Sequence, residues 1–338
     1  MGRTTVITAG STYQDIDAYA CCVALKELLL LQGVPAVAYS KAPRNYSVHP
    51  MLVEPGQMTD RLPQGDLSYI IADVSDPDYL SAGVPLEAVT AVYDHHTGFE
   101  SYWAQRIGDG AHIEFLGAAA TLIWRGWEKA GLSDRMAPAT ARLLVAAILD
   151  NTLALTSHNT PREDLDAFHA LCRIGGVDRG WCDDYFAKVQ ELVEEDLPNA
   201  LLSDIKRLRA HQILPPSMAQ LCVWDAEKIL DRLPQIRQIM ADQGAWMINL
   251  IGLRQRRSWF LCDDACHQKK LSEVFGVRFE NGVAPCGRAW LRKESIRHTQ
   301  RISSIRGKYH DRVRLHPRKV PVGPQRSPEI RPGRQGSV

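Results

Sequence analysis

Long apolar runs are missing from this sequence of 338 residues. A helix that spans a bilayer needs about 20 consecutive apolar residues, and because none occurs we expect no membrane segment. The first residues lead directly into a predicted strand, so we also expect no signal peptide. With 45% hydrophobic and 23% charged residues, the composition is that of an ordinary water-soluble globular protein, long enough for two separate cores.

The paired cysteines of a structural zinc site are also missing. Cys262 and Cys266 lie close together in the sequence, but no second Cys or His pair with zinc-site spacing follows them. Most of the cysteines have apolar neighbours, so we expect reduced, buried thiols and a cytoplasmic location. The eight cysteines are Cys21, Cys22, Cys172, Cys182, Cys222, Cys262, Cys266 and Cys286.

An excess of charge of one sign is missing from the whole chain, since 40 Lys and Arg stand against 39 Asp and Glu. The balance hides an asymmetry, because the chain from Arg301 onward has ten basic and two acidic residues, which leaves residues 1–300 with a net charge of −7. A net negative charge over residues 1–300 favours the binding of cations. Residues 304–338 are rich in proline and arginine and cannot form a core, so we predict a disordered, solvated basic tail.

Acidic side chains follow four apolar segments at the point where each segment ends. A single aspartate in such a place is better explained as a helix cap or a turn residue. Four in succession predict a cation site at the carboxyl edge of a sheet, where open α/β folds bind their ligands. Carboxylates with an imidazole suit Mn²⁺ or Mg²⁺ better than zinc. The candidates are Asp15 and Asp17, Asp73, the triplet Asp94, His95 and His96, and Asp150.

Strand and helix patterns alternate along the first 190 residues, which predicts a mostly parallel sheet flanked by helices. A polar segment near 190–200 precedes a second, smaller α/β pattern, and no internal repeat is visible. We therefore predict a larger domain over 1–192, a smaller α/β domain over 200–300, and the tail over 304–338. The expected elements include a helix from Ala18 to Gln32, a strand at Ile113–Leu116, one helix over 226–243, and an extended segment that ends at Leu291.

In their order along the chain, the Asp-x-Asp, single Asp, Asp-His-His and Asp-Asn-Thr motifs resemble those of the DHH phosphoesterase superfamily. The likeness is greatest to manganese-dependent family II inorganic pyrophosphatases and related exopolyphosphatases. It continues in the second half, where Ser203-Asp204-Ile205-Lys206 resembles an Asp-x-Lys element and Leu291-Arg292-Lys293 resembles a Ser-Arg-Lys signature. The resemblance implies a metal-binding catalytic DHH domain followed by a phosphate-binding, DHHA2-like domain.

The resemblance also implies roles for the candidate residues. One ion would be bound by Asp17, Asp73, His95 and Asp150, and a second by Asp15 and the bridging Asp73. Asp94 would orient His95 through its other ring nitrogen, and His96 would hydrogen-bond a phosphate oxygen or the leaving group. A water activated by both ions would attack phosphorus. Closure of the second domain would bring Lys206, Arg292 and Lys293 onto the phosphates of a small substrate.

Three functions stay open at this point, because Ser11 replaces the His that normally precedes the first Asp of these motifs by four residues. The first is a metal-dependent hydrolase of a small phosphoanhydride or phosphoester. The second is a phosphodiesterase or phosphatase of short oligonucleotides or nucleotide signals. The Gly-Gly-His element of oligonucleotide-cleaving relatives is absent, however, and the sequence has no aromatic and basic stripe to stack bases. The third is a non-catalytic phosphate or nucleotide sensor. We expect no nucleic acid or membrane partner, with homodimerisation left open.

Overall fold

The computed structural model describes residues 2–81, 83–158, 160–208 and 213–302. Within these ranges the chain forms two five-stranded sheets, each with its own helices, which confirms the predicted fold class. None of the helices in these ranges combines the length and apolar character needed to cross a bilayer. The predicted tail over 304–338 lies outside the described residues.

The first sheet is parallel throughout, with the strand order β2-β1-β3-β4-β5. Parallel neighbours require crossover connections, so all carboxyl ends of the strands lie at one edge of the sheet. The predicted strand at Ile113–Leu116 is wrong in its position, because the chain leaves the sheet after Ile113. The strands are β1 (Thr4–Thr8), β2 (Ala36–Ala38), β3 (Leu67–Ala72), β4 (Val89–Asp94) and β5 (Ala111–Ile113).

Small buried residues let the helices of the first domain pack closely, as the alanines of the first and fourth helices show. The first helix begins at Ile16, before the predicted Ala18, because the Asp15 side chain accepts a hydrogen bond from the Ala18 N–H and caps the helix. Asp17 therefore lies in the first turn of α1. The helices are α1 (Ile16–Leu31), α2 (Glu100–Ile107), α3 (Ala119–Lys129), α4 (Pro138–Asn151), α5 (Arg162–Gly175) and α6 (Arg179–Glu195).

The second sheet is mixed, with the order β10-β9-β8-β7-β6. Only its β7–β8 pair is parallel among the pairs of the described strands, and the other pairs are antiparallel. The strands are β6 (Lys206–Arg207), β7 (Ser217–Val223), β8 (Trp246–Gly252), β9 (Arg257–Leu261) and β10 (Val283–Pro285). The helices are α7 (Leu197–Leu202), α8 (Ala226–Leu230), α9 (Leu233–Met240), α10 (Ala265–Phe275) and α11 (292–302).

Two predicted elements of the second domain are wrong. The helix expected over 226–243 is broken, because Pro234 lacks an N–H group and fits only the first turn of the new helix α9. The extended segment expected up to Leu291 contains only the short β10, and α11 begins directly after Leu291. The Arg292-Lys293 pair therefore lies in the first turn of a helix.

The two domains share apolar and polar contacts. Leu291 packs in the core of the first domain, and Val193 of α6 packs in the core of the second. The Tyr46 hydroxyl lies 3.2 Å from the backbone nitrogen of Cys222 on β7. The Lys293 ammonium of α11 donates a hydrogen bond to the Gly117 carbonyl, so α11 lies against the loop after β5, at the carboxyl edge of the first sheet. The predicted boundaries at 192 and 200 stay a prediction.

Asp164 of α5 holds the loop that leads from β5 to α3. This buried carboxylate accepts hydrogen bonds from the Gly117 N–H at 2.7 Å and from the Thr121 hydroxyl at 2.5 Å. A Cβ atom at Gly117 would lie 2.3 Å from Asp164 Oδ2, so only glycine allows this approach. The position of residues 115–117 therefore depends on Asp164.

Replacing Asp164 with alanine should lower the free energy of unfolding by about 1–3 kcal/mol, because it leaves the buried Gly117 N–H without an acceptor. Urea denaturation measures the change. Asp166→Ala is the matched control on the same helix, where an exposed side chain pairs with Arg162 at 3.5 Å. We expect the control to change stability by less than about 0.5 kcal/mol. Equal losses in both variants would contradict the role of Asp164.

Candidate metal centre

A compact group of possible metal ligands lies where β3 and β4 end. The ligand atoms of Asp73, His95 and His96 all lie within 4.8 Å of one another. His95 Nε2 is 3.3 Å from Asp73 Oδ1, and His96 Nδ1 is 3.9 Å from the same oxygen. The parallel pairing of β3 with β4 brings these residues together, although they are more than 20 positions apart in the sequence.

Asp73 has two properties typical of a functional carboxylate. Its φ angle of 59° lies in the left-handed region, which a residue other than glycine adopts at a cost in free energy. Among the described residues, its buried Oδ1 atom has no hydrogen-bond partner. An unpaired buried carboxylate oxygen is costly in a folded protein. A cation at this position would remove that cost, so the site fits a divalent metal ion.

Asp17 lies on the other side of His95 and is fully buried. Its two carboxylate oxygens accept hydrogen bonds from the backbone N–H groups of Ala119 at 2.8 Å and Ala120 at 2.9 Å, in the first turn of α3. A helix N-terminus stabilises negative charge in this way. Asp17 Oδ2 is 3.8 Å from His95 Nε2. The Asp17 carboxylate is therefore held in place beside the ring of His95.

The predicted orientation of His95 by Asp94 is wrong. His95 Nδ1 lies 3.2 Å from the backbone carbonyl oxygen of Leu116, in the loop that Asp164 holds. Asp94 Oδ1 instead accepts hydrogen bonds from the His95 backbone N–H and contacts the Nδ1 atom of His96 at 2.8 Å. Asp94 thus orients His96 and the turn after β4, and the Leu116 carbonyl orients the His95 ring.

Asp15 and Asp150 lie around this group, outside its 4.8 Å limit. Asp15 caps α1, and Asp150 lies in the last turn of α4. Burial, followed by the charges of Asp15 and Asp17, raises the pKa of Asp150 to about 7. The influence of these two charges indicates that Asp150 lies near the carboxylates that follow β1.

The crowding of carboxylates shifts the pKa of their members upward. Burial and then the charge of Asp15 raise the pKa of Asp17 to about 7. Burial and then the charge of Asp17 raise the pKa of Asp73 well above its ordinary value. Like charges in a buried region disfavour ionisation unless a cation is present. The acidic cluster therefore needs positive charge to remain ionised at neutral pH.

Lys293 supplies one positive charge from the second domain. Its ammonium group donates a hydrogen bond to the Gly117 carbonyl at 3.1 Å, across the domain interface. Burial lowers the pKa of Lys293, while the carboxylates of Asp17 and Asp73 act in the opposite direction. Lys293 is therefore a partly buried cation whose charge acts on the acidic cluster.

Arg292 is held by the protein itself. Its Nη1 atom donates to Asp204 Oδ2 at 2.7 Å, and its Nη2 atom donates to the Tyr13 hydroxyl at 3.1 Å. Tyr13 belongs to the loop that leads from β1 to Asp15, so Arg292 joins the two domains beside the site. Lys206 lies at the rim, with its Nζ atom 5.9 Å from the centre of the Tyr79 ring.

Several residues of this region were not found from the sequence. Asp204 was matched only as part of a motif, and its ion pair with Arg292 was not expected. The run of small residues from Gly117 to Ala120, before Thr121, is the signal in the sequence that could have pointed to the loop after β5. The residues that the sequence reasoning missed are Tyr13, Leu116, Gly117 and Asp164.

Without divalent ions, the thermal midpoint of unfolding should fall as the pH rises from about 4.5 to 7.5. Asp17 and Asp150 have a pKa of about 7 in the folded protein against an ordinary value of 3.8, so the folded state binds more protons across this window. Stability is then lost as the pH rises through the folded pKa. Adding Mn²⁺ should restore most stability at the high end, because metal competes with protons.

Scanning the protein in EDTA and in Mn²⁺ across this pH range measures both effects. Asp150→Asn removes one of the titrating groups and should flatten the fall that is seen in EDTA. A midpoint that increases with pH in EDTA would contradict the assigned pKa shifts.

Comparison with known proteins supports the motif-based resemblance. No family profile matches the sequence. A probable manganese-dependent inorganic pyrophosphatase from Deinococcus radiodurans is 25% identical over 310 residues, which cover 85% of this chain and 95% of that protein. A protein of the same description from Staphylococcus epidermidis is 23% identical over 190 residues, which cover 54% of this chain and 60% of that protein.

A solved structure shows the same architecture. The putative family II inorganic pyrophosphatase of Methanococcus jannaschii superposes with a TM-score of 0.66 at 16% identity, covering 88% of this chain and 98% of that chain. At this identity the likeness establishes the fold. The predicted resemblance to manganese-dependent family II pyrophosphatases of the DHH superfamily is thereby confirmed, and this chain has the fold of the solved family II structure.

Proposed function

We propose that this protein is a divalent-metal-dependent phosphohydrolase that cleaves a small phosphoanhydride or phosphoester. The observation that carries the proposal is the unpaired, buried Asp73 Oδ1 atom, 3.3 Å from His95 Nε2, in a cluster of carboxylates with raised pKa values. The manganese-dependent pyrophosphatases that the chain resembles support the same reaction class and Mn²⁺ as the cofactor.

We propose that the carboxylates and His95 hold two manganese or magnesium ions. Asp17, Asp73, His95 and Asp150 would hold one ion, and Asp15 with Asp73 would hold the other. Carboxylate oxygens with one imidazole are the donors that these ions accept in proteins. When bound, the ions supply an activated water molecule and neutralise phosphate oxygens.

His95 has the protonation state that a metal ligand needs. Burial and the charge of Lys293 lower the pKa of His95 well below its ordinary value, so the ring is uncharged at neutral pH. The Leu116 carbonyl is an acceptor only, so it fixes the proton on Nδ1 and leaves Nε2 as the lone-pair atom. That atom faces the carboxylates of Asp17 and Asp73.

His96 and Lys293 are the groups placed to contact substrate. The His96 side chain is 47% exposed, and its Nδ1 atom is engaged by Asp94, which leaves Nε2 for a phosphate oxygen or the leaving group. Burial opposes ionisation of Asp94, but the charge of His96 and the hydrogen bonds from His96 and Ser75 together outweigh it and keep the pKa of Asp94 below its ordinary value. Lys293 would neutralise phosphate charge from the opposite side, in a region from which water is largely excluded.

Arg292 would act as a positioning residue. Its guanidinium already makes hydrogen bonds to Asp204 and Tyr13, which fixes the first turn of α11 against the loop that carries Asp15. Fixing this turn also fixes Lys293, the next residue. We propose that Lys293 and Lys206 contact the phosphate groups of the substrate. Arg292 would fix the position of the second domain relative to the first.

Loss of a ligand should remove tightly bound metal. We expect His95→Ala and Asp150→Asn to lower the manganese content at equilibrium well below that of the parent protein, because each removes a donor from the same ion. Equilibrium dialysis with elemental analysis measures the content. His112→Ala is the control, since this histidine lies on β5 and stacks on Tyr93 away from the carboxylates. Unchanged metal content in both ligand variants would contradict the site.

Product formation in the presence of Mn²⁺ tests the function, measured as released phosphate for pyrophosphate, polyphosphate and the nucleoside bisphosphate, and as mononucleotide for the dinucleotide. We expect turnover of at least one substrate among pyrophosphate, short polyphosphate, a nucleoside bisphosphate and a dinucleotide. Asp73→Ala should reduce kcat by about a hundredfold or more, since it removes the carboxylate that would serve both ions. Asp66→Ala is the control at the opposite end of β3, where the side chain is exposed. Metal binding without turnover of any substrate would favour the non-catalytic sensor that Ser11 leaves open.

A further inference from the structure

Two partly exposed aromatic side chains each lie within cation–π distance of a cation from the other domain. Phe115 is 53% exposed and Tyr79 is 41% exposed, and they are the aromatic members among the large exposed apolar residues of the described ranges. The guanidinium carbon of Arg297 lies 5.0 Å from the centre of the Phe115 ring. The ammonium of Lys206 lies 5.9 Å from the centre of the Tyr79 ring. Such pairs are favourable contacts between a cation and an aromatic face.

Both aromatic residues lie at the mouth of the candidate metal centre. Phe115 directly precedes Leu116, whose carbonyl orients His95, and Gly117, whose carbonyl accepts the Lys293 hydrogen bond. On the other side, the Tyr79 carbonyl accepts a hydrogen bond from the Ser11 N–H at 2.9 Å, in the loop that leads to Asp15. In the order of the sheet, Tyr79 follows β3 and Phe115 follows β5. The segments that carry the two rings therefore follow the strands on either side of β4, the strand that leads to His95 and His96.

The cations come from elements that already reach the site. Arg297 lies four residues after Lys293, one turn further along α11, and its Nη2 atom donates to the Thr97 hydroxyl at 3.1 Å. Lys206 lies on β6, two residues after Asp204, the ion-pair partner of Arg292. The mouth thus combines two aromatic rings with two cations, all within a few residues of groups that contact the acidic cluster.

We propose that this mouth binds the base of a nucleotide whose phosphate groups lie at the carboxylate–histidine cluster. The inference rests on the proposed function and names its substrate class, which is a nucleoside polyphosphate or a short oligonucleotide. Every base presents a flat π-face, and stacking on an aromatic ring or a guanidinium plane is the usual way in which proteins hold unpaired bases. Inorganic pyrophosphate has no apolar surface and would gain nothing from an exposed phenylalanine at this place.

The lack of an aromatic and basic stripe in the sequence argued against a nucleotide substrate, and the fold removes that objection. Phe115, Tyr79, Arg297 and Lys206 belong to four separate segments of the chain. They meet only because α11 and β6 of the second domain lie against the carboxyl edge of the first sheet. A stripe of this kind has no signature along the sequence.

The test compares kcat/KM for pyrophosphate, a nucleoside triphosphate and a dinucleotide in Mn²⁺. We expect the base-bearing substrates to be preferred, and the two nucleotide arms distinguish a nucleoside polyphosphate from an oligonucleotide. Phe115→Ala should lower the ratio of kcat/KM for the preferred nucleotide to that for pyrophosphate by about tenfold, mainly through KM. Phe115→Tyr keeps an aromatic ring and should retain the ratio.

Leu30→Ala is the matched control, because this exposed apolar residue lies near the far end of α1, about 20 Å along the helix from Asp17. It should leave all three kcat/KM values unchanged. A second measurement needs no turnover. Calorimetric titration should show that a nucleoside monophosphate binds more tightly than inorganic phosphate in the parent protein, and Phe115→Ala should remove that difference.

The outcomes separate this inference from the proposed function. Pyrophosphate turnover that Asp73→Ala abolishes, with no preference for a base and no effect of Phe115→Ala on the ratio, would overturn the inference and leave the function standing. If no substrate is turned over but the nucleoside monophosphate binds in a manner that depends on Phe115, the function fails and the base site stands. Equal binding of nucleoside monophosphate and inorganic phosphate would overturn the base site.

Discussion

The mutual repulsion of buried carboxylates is the constraint on which the rest of this structure depends. Asp17, Asp73 and Asp150 are held in a region where burial and neighbouring charge raise their pKa values. A fold that only needed stability would not place these groups together, because each ionised carboxylate raises the free energy of the others. Their arrangement is explained by cations, which turn the same repulsion into affinity. Divalent ions, Lys293 and the N-terminus of α3 would all act in this direction.

Helix α11 brings side chains of the second domain to the site in the first domain. Its first turn sends Lys293 to the loop after β5 and Arg292 to Tyr13 and Asp204, and one turn later Arg297 reaches Thr97 and Phe115. Any relative movement of the domains would therefore change the charge balance at the acidic cluster and the shape of its mouth together. A substrate that contacts both domains would favour the arrangement in which α11 lies against the first domain, because binding shifts a conformational equilibrium toward the state with more contacts.

A buried hydrogen bond holds the loop between β5 and α3 in the position that the site requires. Asp164 is buried 47 positions away from Gly117 in the sequence, and its hydrogen bond places the Leu116 carbonyl against His95 and the Gly117 carbonyl against Lys293. The same loop presents Phe115 to solvent. A structural carboxylate on α5 thus determines the tautomer of a proposed metal ligand, the position of a cation and one side of the mouth.

Much of the first sheet was predictable from the sequence, because strand and helix periods depend on neighbouring residues and parallel strands bring their carboxyl ends to one edge. The sequence by itself determined the fold class and the resemblance to the DHH superfamily, and it predicted which acidic residues lie near that edge. Only the tertiary structure decided that Leu116 and not Asp94 orients His95, that Arg292 is paired with Asp204 and Tyr13, and that Phe115 and Tyr79 frame the mouth. The physical reason is distance along the chain. Arg292 and Tyr13 are 279 positions apart, and such contacts depend on how whole domains pack and not on any local pattern.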